Sequence, residues 1–287
     1  MQTISILVQE KPQLLFVQNP SMLLAFIACL YRLVSHNIVI VDRHTTFRIN
    51  KEPKLSVDHF MFKFFHWFTI RFADLTMVTN KYLAELVENK GGIPFVLPDK
   101  LPEIKPTEQL QLKEGFNILL ISSFGYDEPI DIVLQSMKML EGENINLYVT
   151  GNYKKLGNAI VNGCKENVIF TGFLPEADYI NMLFAVDAVM VLTTADHCML
   201  CGCYEAISAG KPLLTSAKLV LLEYFDKAVF VNNTCDEIVS GIKQIIDNYP
   251  GCVDNTMLMR RSLGNKWMEL YEQLNVTLED IIKNENQ

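Results

Sequence analysis

The sequence predicts an α/β protein made of two Rossmann-like, doubly wound parallel-sheet domains, and three observations lead to this fold class. Short β-branched runs alternate with longer helical patterns, as in parallel βα units. The alternation stops once, in a stretch with three prolines at residues 98–115, and then starts again. Hydrophobic residues make up 49% of the 287 residues, which is enough apolar material for the cores of two domains.

The first half of the chain is expected to contribute four strands. The candidate strands are residues 14–17, 38–41, 75–78 and 95–97, and the candidate helices are residues 21–34, 57–72 and 81–89. This half opens on a strand with no glycine-rich turn behind it, whereas a doubly wound domain carries its ligand loops after its first strands. The first domain is therefore predicted to be incomplete, with its opening βα units upstream of Met1.

The second half has enough strands for a complete doubly wound sheet. The candidate strands are residues 117–121, 146–150, 168–170, 188–192, 212–215 and 228–231, and the candidate helices are residues 130–140, 177–184, 201–209 and 236–248. A final amphipathic helix is expected at residues 256–284.

Composition and charge restrict the class of partner and the compartment. The formal net charge of −8 argues against nucleic acid, because phosphate backbones are bound by clustered Lys and Arg. Seven cysteines without framework spacing indicate a reducing compartment. The N-terminus lacks the pattern of a signal peptide, and the longest apolar run, residues 22–30, is too short to span a bilayer. We therefore expect a cytoplasmic protein, with peripheral contact at the inner face of a membrane left open.

The segment DHCMLCGCYEAISAGKPLLTS, residues 196–216, carries the clearest chemical signal. It follows the apolar run VMVLTT and leads through a helix into another strand, which is where α/β folds present ligand-binding groups. Glu205 lies near the expected start of this helix, where its carboxylate is compatible with the helix dipole and can accept hydrogen bonds from a diol such as ribose. Backbone N–H groups around Gly202 can bind a phosphate.

The run Glu-Ala-x-x-x-Gly-Lys-Pro that begins at Glu205, followed by a buried strand, resembles retaining glycosyltransferases of family 4 and their relatives of the GT-B fold. In that family two glutamates with seven residues between them precede this turn in the donor domain. The second glutamate falls on Glu205, and the first falls on His197, with Asp196 one position earlier. The sugar contact of the first glutamate is therefore expected from His197, or from Asp196 if the loop is one residue longer.

Neighbouring segments extend the resemblance through the donor domain. NVIFTGFLPEADYINMLFAVDAVMVLTT, LYVTGN and ILLISSFGYDEP are similar to the strands and loops that surround the donor diphosphate. Many family members carry Arg and Lys in the last of these loops, whereas this chain has none there. The resemblance implies that the donor-binding residues are Ser123, Phe124, Gly125, Gly151, Asn152, Lys154, Asp196, His197, Gly202 and Glu205, with Lys155 the other nearby basic residue.

In the first half, VQNPS and IVIVDRHTTF are similar to the acceptor domain of the same superfamily, whose histidine just beyond a strand contacts the donor sugar. His44 occupies that position, which makes it the catalytic candidate. The resemblance implies an acceptor-side domain at residues 1–105, a nucleotide-sugar domain at residues 106–265 and a helix at residues 266–287 that crosses back to the first domain. A linker or hinge is expected near the prolines between these domains.

The implied reaction is the retaining transfer of a sugar from a nucleoside diphosphate to a glycan or lipid-linked acceptor in surface polysaccharide or glycoconjugate synthesis. It needs no metal, and the nucleotide sugar is its only cofactor-like ligand. Two alternatives stay open. The departures at His197 and at residues 122–128 are also typical of a catalytically impaired subunit, or of one that depends on a partner for the missing N-terminal units. The second alternative is a GT-B nucleotide-sugar epimerase.

Other residues have structural explanations beside the functional ones. Glu205 is also an ordinary residue for a helix start, and His44 and His197 are also ordinary loop residues. Cys198 and Cys201 form one C-x-x-C pair without the second pair of a zinc site, and Cys203 reads as a small core residue. In FMFKFFHWF, residues 60–68, the stripe through Phe60, Phe64, Phe65, Phe68 and Phe72 predicts a buried face, and Phe62 and Trp67 lie off it. The alternative for this helix is a membrane-facing surface.

Overall fold

The chain divides into two compact units in the computed structural model, which describes residues 2–19, 22–35, 37–44 and 57–285. Unit 1 comprises Met1–Asp99 and Lys266–Gln287, and unit 2 comprises Lys100–Asn265. This division falls earlier in the chain than the expected boundary at residues 105–106. The reason is that Leu101 and Ile104, in the proline-containing stretch, pack against the hydrophobic core of unit 2.

The described part of unit 1 holds a parallel sheet of four strands in the order β1-β2-β3-β4. The strands are β1 (Leu14–Asn19), β2 (Ile38–Arg43), β3 (Leu75–Val78) and β4 (Pro94–Val96), and the helices are α1 (Gln2–Glu10), α2 (Met22–Ser35), α3 (Val57–Phe72) and α4 (Lys81–Glu88). Each strand pairs with the next one along the chain. Residues 20, 21 and 45–47, which belong to the segments VQNPS and IVIVDRHTTF, lie outside the described residues.

Helix α1 precedes the first strand, so the expectation that the chain opens on a strand is wrong. Its apolar side chains at Ile4, Ile6 and Val8 occupy every second position and are all exposed, while Leu7 is buried. The alternation has the period of a strand, and it hides the helix from a search for helical spacing. The Tyr31 hydroxyl of α2 donates to the Leu7 carbonyl at 2.9 Å, which fixes α1 to α2.

The aromatic helix α3 buries the predicted stripe only in part: Phe68 and Phe72 pack against the core of unit 1. Its buried residues are His66, Thr69 and Ile70, whereas Phe60 and Phe64 of the predicted buried stripe are exposed. Trp67 is exposed as predicted, but Phe62 is only half-buried. Thr69 is buried because its hydroxyl accepts from the guanidinium of the buried Arg43 (3.1 Å), whose other contact is the His66 ring at 2.6 Å. The inner face of α3 therefore combines this polar contact with the aromatic residues Phe68 and Phe72.

Unit 2 contains, within the described residues, a six-stranded parallel sheet in the order β10-β9-β8-β5-β6-β7. Its strands are β5 (Phe116–Leu120), β6 (Ile145–Thr150), β7 (Val168–Gly172), β8 (Ala188–Val191), β9 (Leu213–Ser216) and β10 (Val229–Val231). Its helices are α5 (Ile130–Met139), α6 (Asn158–Asn162), α7 (Glu176–Ala185), α8 (Cys201–Ser208), α9 (Leu219–Tyr224) and α10 (Cys235–Asp247), with a 3₁₀-helix at Tyr153–Leu156. All six strands begin and end within two residues of the predicted bounds, so these predictions are confirmed. Helices α6 and α9 were not predicted, because five and six residues are too few to show a helical period.

The sheet of unit 2 is wound in two directions from its centre. The chain runs outward through β5, β6 and β7, returns to β8 on the other side of β5, and continues outward through β9 and β10. The cores on the two faces are separate: α5 and α10 cover one face, and α7, α8 and α9 cover the other. The loops after β5 and β8 leave in opposite directions at this switch point, where open α/β sheets bind their ligands.

The last helix, α11 (Tyr249–Glu285), contributes to both units. Met259 and Leu263 are buried in the core of unit 2, and Leu274 is buried against the sheet of unit 1. The Trp267 indole donates to the Pro98 carbonyl at 3.1 Å within unit 1. Among the described residues, the structure contains no helix with the length and apolar character needed to cross a membrane.

Candidate functional site

The loops after β5 and β8 are joined at the switch point by the side chain and backbone of Asp127. Its carboxylate accepts a hydrogen bond from the Thr193 hydroxyl at 2.8 Å. Its backbone carbonyl accepts from the N–H of Thr194 at 2.6 Å and from the Thr194 hydroxyl at 3.0 Å. Residues of both loops therefore form one continuous surface at the carboxyl edge of the sheet.

The loop after β5 binds its own carboxylate. Glu128 accepts hydrogen bonds from the N–H of Ser123 at 3.0 Å and from the N–H of Gly125 at 3.2 Å. The Ser122 and Ser123 hydroxyls also donate to it, at 2.6 Å and 2.8 Å. These are the groups that the sequence assigned to a phosphate, so an internal anion occupies the expected anion pocket. Phe124 adopts a φ of 57° within this turn and buries its ring in the core.

In the sequence, Glu128 is only one of the residues of a loop that lacks the Arg and Lys of many family members, and no role was predicted for it. The available signal was an acidic residue in a serine- and glycine-containing loop directly before α5. A carboxylate is favourable at a helix N-terminus and can accept from several N–H groups at once. That combination marks Glu128 as the partner of the loop.

The turn after β6 packs directly against this loop. Gly151 has a φ of 93° and donates to the Gly172 carbonyl at 3.0 Å. A Cβ at this position would lie 2.0 Å from the Ser122 carbonyl oxygen, so glycine is required for the close approach. Asn152 follows it and precedes the 3₁₀-helix.

Lys155, rather than Lys154, is the lysine that reaches the loop after β5. The Lys155 ammonium donates to the Ser123 carbonyl at 2.8 Å and to the Phe124 carbonyl at 3.3 Å. Lys154, its neighbour in the 3₁₀-helix, is exposed. The choice between adjacent lysines depends on the phase of this short helix, which sequence alone does not reveal.

In the loop after β8, Asp196 is paired with a lysine. The Lys218 ammonium, directly before α9, contacts the Asp196 carboxylate at 2.7 Å, and this hydrogen bond lowers the pKa of Asp196. The Asp196 side chain is 71% exposed. His197 is half-buried and Cys198 is buried. Of the two candidates for the first carboxylate position, the acidic one is thus engaged by a cation at the protein surface.

Helix α8 carries Gly202 and Glu205. Gly202 lets α8 pack closely on the sheet, because a Cβ there would lie 3.1 Å from both Ile121 and Val191. Leu200, at the N-cap, makes no side-chain capping hydrogen bond, so the first-turn N–H groups are not capped in that way. Glu205 is the fifth residue of α8, one turn beyond the expected helix start, and is half-buried.

The Tyr179 hydroxyl of α7 donates to the Glu205 carboxylate. Burial raises the pKa of Tyr179, and the negative charge of Glu205 raises it further, so the hydroxyl keeps its proton. The carboxylate is therefore held in place by a neutral donor.

Two buried thiols beside α8 are poor ligands and nucleophiles. Burial raises the pKa of Cys203 to about 12 and that of Cys198 to about 11, and both groups need the thiolate form to react or to bind a metal. Across the part of the chain that the structure describes, His, Cys, Asp and Glu side chains form no group of three or more arranged to hold a metal ion.

In unit 1, His44 follows β2 and lies between two carboxylates. Its Nε2 is 2.8 Å from Oδ2 of Asp42, and its Nδ1 is 3.4 Å from Oδ1 of Asp99. The hydrogen bond with Asp42 raises the pKa of His44, whereas burial raises the pKa of Asp99. Both ring nitrogens donate only in the imidazolium, so this arrangement favours the charged form. Asp99 is distant in sequence, and for that reason the sequence did not identify it.

We expect Gly151→Ala to lower the free energy of unfolding by about 3 kcal/mol. About 1–2 kcal/mol comes from the positive φ, and about 1–2 kcal/mol from displacing the Ser122 carbonyl. Gly142→Ala is the matched control, because its φ is 87° and no atom lies within 4 Å of the added Cβ. Urea unfolding should show a loss of only about 1–2 kcal/mol for the control. Equal losses in the two variants would contradict the close approach.

We also expect the His44 pKa to lie above the ordinary histidine value and to fall in Asp42→Asn. Because the pKa is raised in the folded state, the stabilisation is complete below the unfolded-state pKa and is lost as the pH rises through the folded-state pKa. NMR titration of the imidazole protons measures the shift, with His44→Gln for assignment and the exposed Asp178→Asn as control. An ordinary pKa that is the same in wild type and Asp42→Asn would refute the pairing.

Comparisons with known proteins agree with this architecture. Solved structures with the same fold include HepE from Anabaena in complex with UDP-glucose, at 14% identity and a TM-score of 0.75, covering 97% of this chain and 81% of that one. Sucrose-phosphate synthase from Thermosynechococcus elongatus matches at 14% identity and a TM-score of 0.77, covering 98% and 77%. A glycosyltransferase from Rickettsia africae matches at 11% identity and a TM-score of 0.73, covering 99% and 80%. No curated protein sequence matches the chain.

The family model described as "Glycosyl transferases group 1" matches residues 103–262, which is more than half of the chain and nearly all of unit 2. The resemblance drawn from the segment around Glu205 is thereby confirmed, as are the two Rossmann-like sheets of the GT-B fold. The chain belongs to the group 1 glycosyltransferases.

Proposed function

We propose that the chain is a retaining, hexosyltransferase-type enzyme that moves a sugar from a nucleoside diphosphate to a glycan or lipid-linked acceptor without a metal ion. The observation that carries the proposal is the position of Glu205. It lies on α8 beside the sheet's switch point, and its carboxylate is charged and oriented by Tyr179. A fixed carboxylate of this kind suits the two hydroxyls of a ribose. HepE, a protein of the same fold, has been solved with UDP and with UDP-glucose.

Stabilisation of the leaving phosphate would come from the first turn of α8, near Gly202. Its N–H groups carry the positive end of the helix dipole, and fixed dipoles of this kind stabilise developing negative charge. Retention then follows if the acceptor attacks the face that the phosphate leaves and the phosphate oxygen takes the acceptor's proton. His197 is the candidate contact to the transferred sugar from unit 2, and His44 is the candidate from unit 1.

A second candidate function is favoured by Glu128. Its carboxylate fills the pocket in which the loop after β5 would hold a phosphate, and this arrangement fits a catalytically impaired or partner-dependent subunit that binds a nucleotide sugar weakly. Synthesis of surface polysaccharide or another glycoconjugate remains the proposed setting for either function. The GT-B epimerase is the remaining alternative, and release of an epimerised nucleotide sugar without any acceptor would favour it.

The donor site is tested with UDP-, GDP- and ADP-sugars by calorimetry. One nucleotide class should bind saturably to the wild type, and Glu205→Gln should weaken this binding about 10- to 100-fold, because hydrogen bonds to a charged group contribute about 1.5–3 kcal/mol. Glu223→Gln, an exposed carboxylate on α9, is the matched control and should bind like the wild type. Turnover by the wild type, with the anomeric configuration followed by NMR, then separates the transferase from the impaired subunit.

Failure of all three nucleotide classes to bind folded protein would reject both candidate functions. If wild type and Glu205→Gln bound the nucleotide sugar equally, the protein would have a nucleotide site, but the proposed ribose contact at Glu205 would be rejected.

We also propose that the outer face of α3 contacts an anionic membrane surface from the cytoplasmic side. Phe60 is 72% exposed and Trp67 46% exposed, and Phe64 lies between them. Lys63 and Arg71 are exposed on the same helix, and residues 60–72 include no acidic residue although the chain is acidic overall. Exposed aromatics beside basic side chains are typical of helices that lie in the lipid interface.

Vesicle sedimentation tests this surface. The protein should bind vesicles of phosphatidylcholine with phosphatidylglycerol, bind pure phosphatidylcholine more weakly, and lose binding in high salt. Trp67→Ser should weaken binding about tenfold, because the ring no longer enters the interface. Phe173→Ser, which removes a 79% exposed aromatic from unit 2, should have no effect. Binding unchanged in Trp67→Ser, or a dimer that buries α3 without lipid, would reject the proposal.

A further inference from the structure

The pocket of the loop after β5 has the composition of a phosphate site. Two backbone N–H groups, from Ser123 and Gly125, and two hydroxyls, from Ser122 and Ser123, point to one place and donate to Glu128 at 2.6–3.2 Å. The pocket lies directly before the N-terminus of α5, whose positive dipole end favours an anion. Successive N–H groups of this kind bind carboxylates and phosphates alike.

The occupant of the pocket is part of the chain. Glu128 reaches back across the turn, so that the donors of the loop are satisfied without a ligand. Asp127, the residue before it, is held separately by the hydroxyl of Thr193. The two adjacent acids therefore have different partners, and Glu128 is the one that accepts hydrogen bonds from the loop N–H groups.

From this geometry we propose that Glu128 is an internal anion that competes with phosphate for the loop after β5. A diphosphate can use the N–H groups of Ser123 and Gly125 only after the Glu128 carboxylate has left them, because the same donors cannot serve both anions and like charges repel at hydrogen-bond distance. The consequence for the proposed donor, which rests on the proposed function, is a reduced contribution of the diphosphate to binding. Affinity would then depend more strongly on the nucleoside and on α8.

Lys155 gives the vacated pocket a cation. Its ammonium already contacts the carbonyls of Ser123 and Phe124, on the backbone that forms the pocket. Removal of the Glu128 carboxylate would leave this positive charge beside the loop N–H groups, and the remaining nearby acid, Asp127, is bound by the Thr193 hydroxyl. The loop therefore already has the groups that an external anion requires, and Glu128 decides whether one binds.

The test uses pyrophosphate, which contains no base or sugar, on the full chain. Calorimetry should show binding to Glu128→Ala at least tenfold tighter than to the wild type, and Glu128→Gln should lie between them, since it keeps the shape but not the charge. Asp131→Asn is the matched control: it removes one exposed carboxylate from the first turn of α5 and should bind like the wild type. The amide NMR signals of Ser123 and Gly125 should shift with pyrophosphate in Glu128→Ala.

Equal pyrophosphate affinity in wild type and Glu128→Ala, or no binding in either, would overturn the proposal. If Asp131→Asn also bound pyrophosphate ten times more tightly than the wild type, the gain would be an effect of net charge and the proposal would be rejected. If Glu128→Ala unfolds, Glu128→Gln and its Ser123 and Gly125 signals decide. The result is independent of the proposed function: a chain that binds no nucleotide sugar can still gain pyrophosphate binding in Glu128→Ala, and a chain that binds nucleotide sugars can fail to gain it.

Discussion

The hydrogen bonds of Asp127 to Thr193 and Thr194 are the contacts on which the candidate site depends. β5 and β8 are adjacent in the sheet, but their following segments lead to opposite sides of it, so nothing in the winding itself holds the two loops together. Asp127 joins them through its side chain and its backbone. The positions of the serine loop and of the segment leading into α8 are fixed relative to one another for this reason.

The same edge of the sheet is unusual in its charges. Glu128, Asp196 and Glu205 are acidic, and the lysines that approach them are already engaged, Lys218 with Asp196 and Lys155 with backbone carbonyls. Because these lysines are engaged, a phosphate at this edge of the sheet would have to be bound by backbone N–H groups and helix dipoles. Such N–H groups remain available to a phosphate unless a carboxylate enters the pocket and accepts their hydrogen bonds. α8 meets this condition and the loop after β5 does not, because Glu128 has entered its pocket.

The sequence predicts the sheets well and the polar contacts poorly, and both results have physical causes. Strands such as β5 and β8 are buried on both faces, so they read as short apolar runs bounded by polar loops. Glu205 stands out in the sequence because a motif of fixed spacing surrounds it, and the structure places it on α8. The pairing of His44 with Asp99, the choice of Lys155 over Lys154 and the return of Glu128 onto its own loop depend on turn geometry and on residues distant in the chain. The helical spacing of the aromatic residues in α3 predicts one buried stripe, of which Phe60 and Phe64 are exposed in the structure. The buried Arg43 contacts the neighbouring residues His66 and Thr69 instead, a contact that the spacing does not reveal.

The loop after β5 differs from that of many family members in two respects: it lacks their basic residues, and its N–H groups are bound by Glu128. A loop that had only lost its basic residues would keep its N–H groups directed at solvent, ready for a weaker phosphate contact. Here those N–H groups have a carboxylate partner, and the Ser122 and Ser123 hydroxyls donate to the same carboxylate at 2.6 and 2.8 Å, so the filled pocket contributes to the stability of the loop. Any donor phosphate must offset that contribution before it gains its own. The proposed ribose contact at Glu205 would involve no such competition, because its partner Tyr179 is neutral and contacts one oxygen of the carboxylate. Under the proposed function, recognition of the nucleoside and recognition of the diphosphate would therefore be separable.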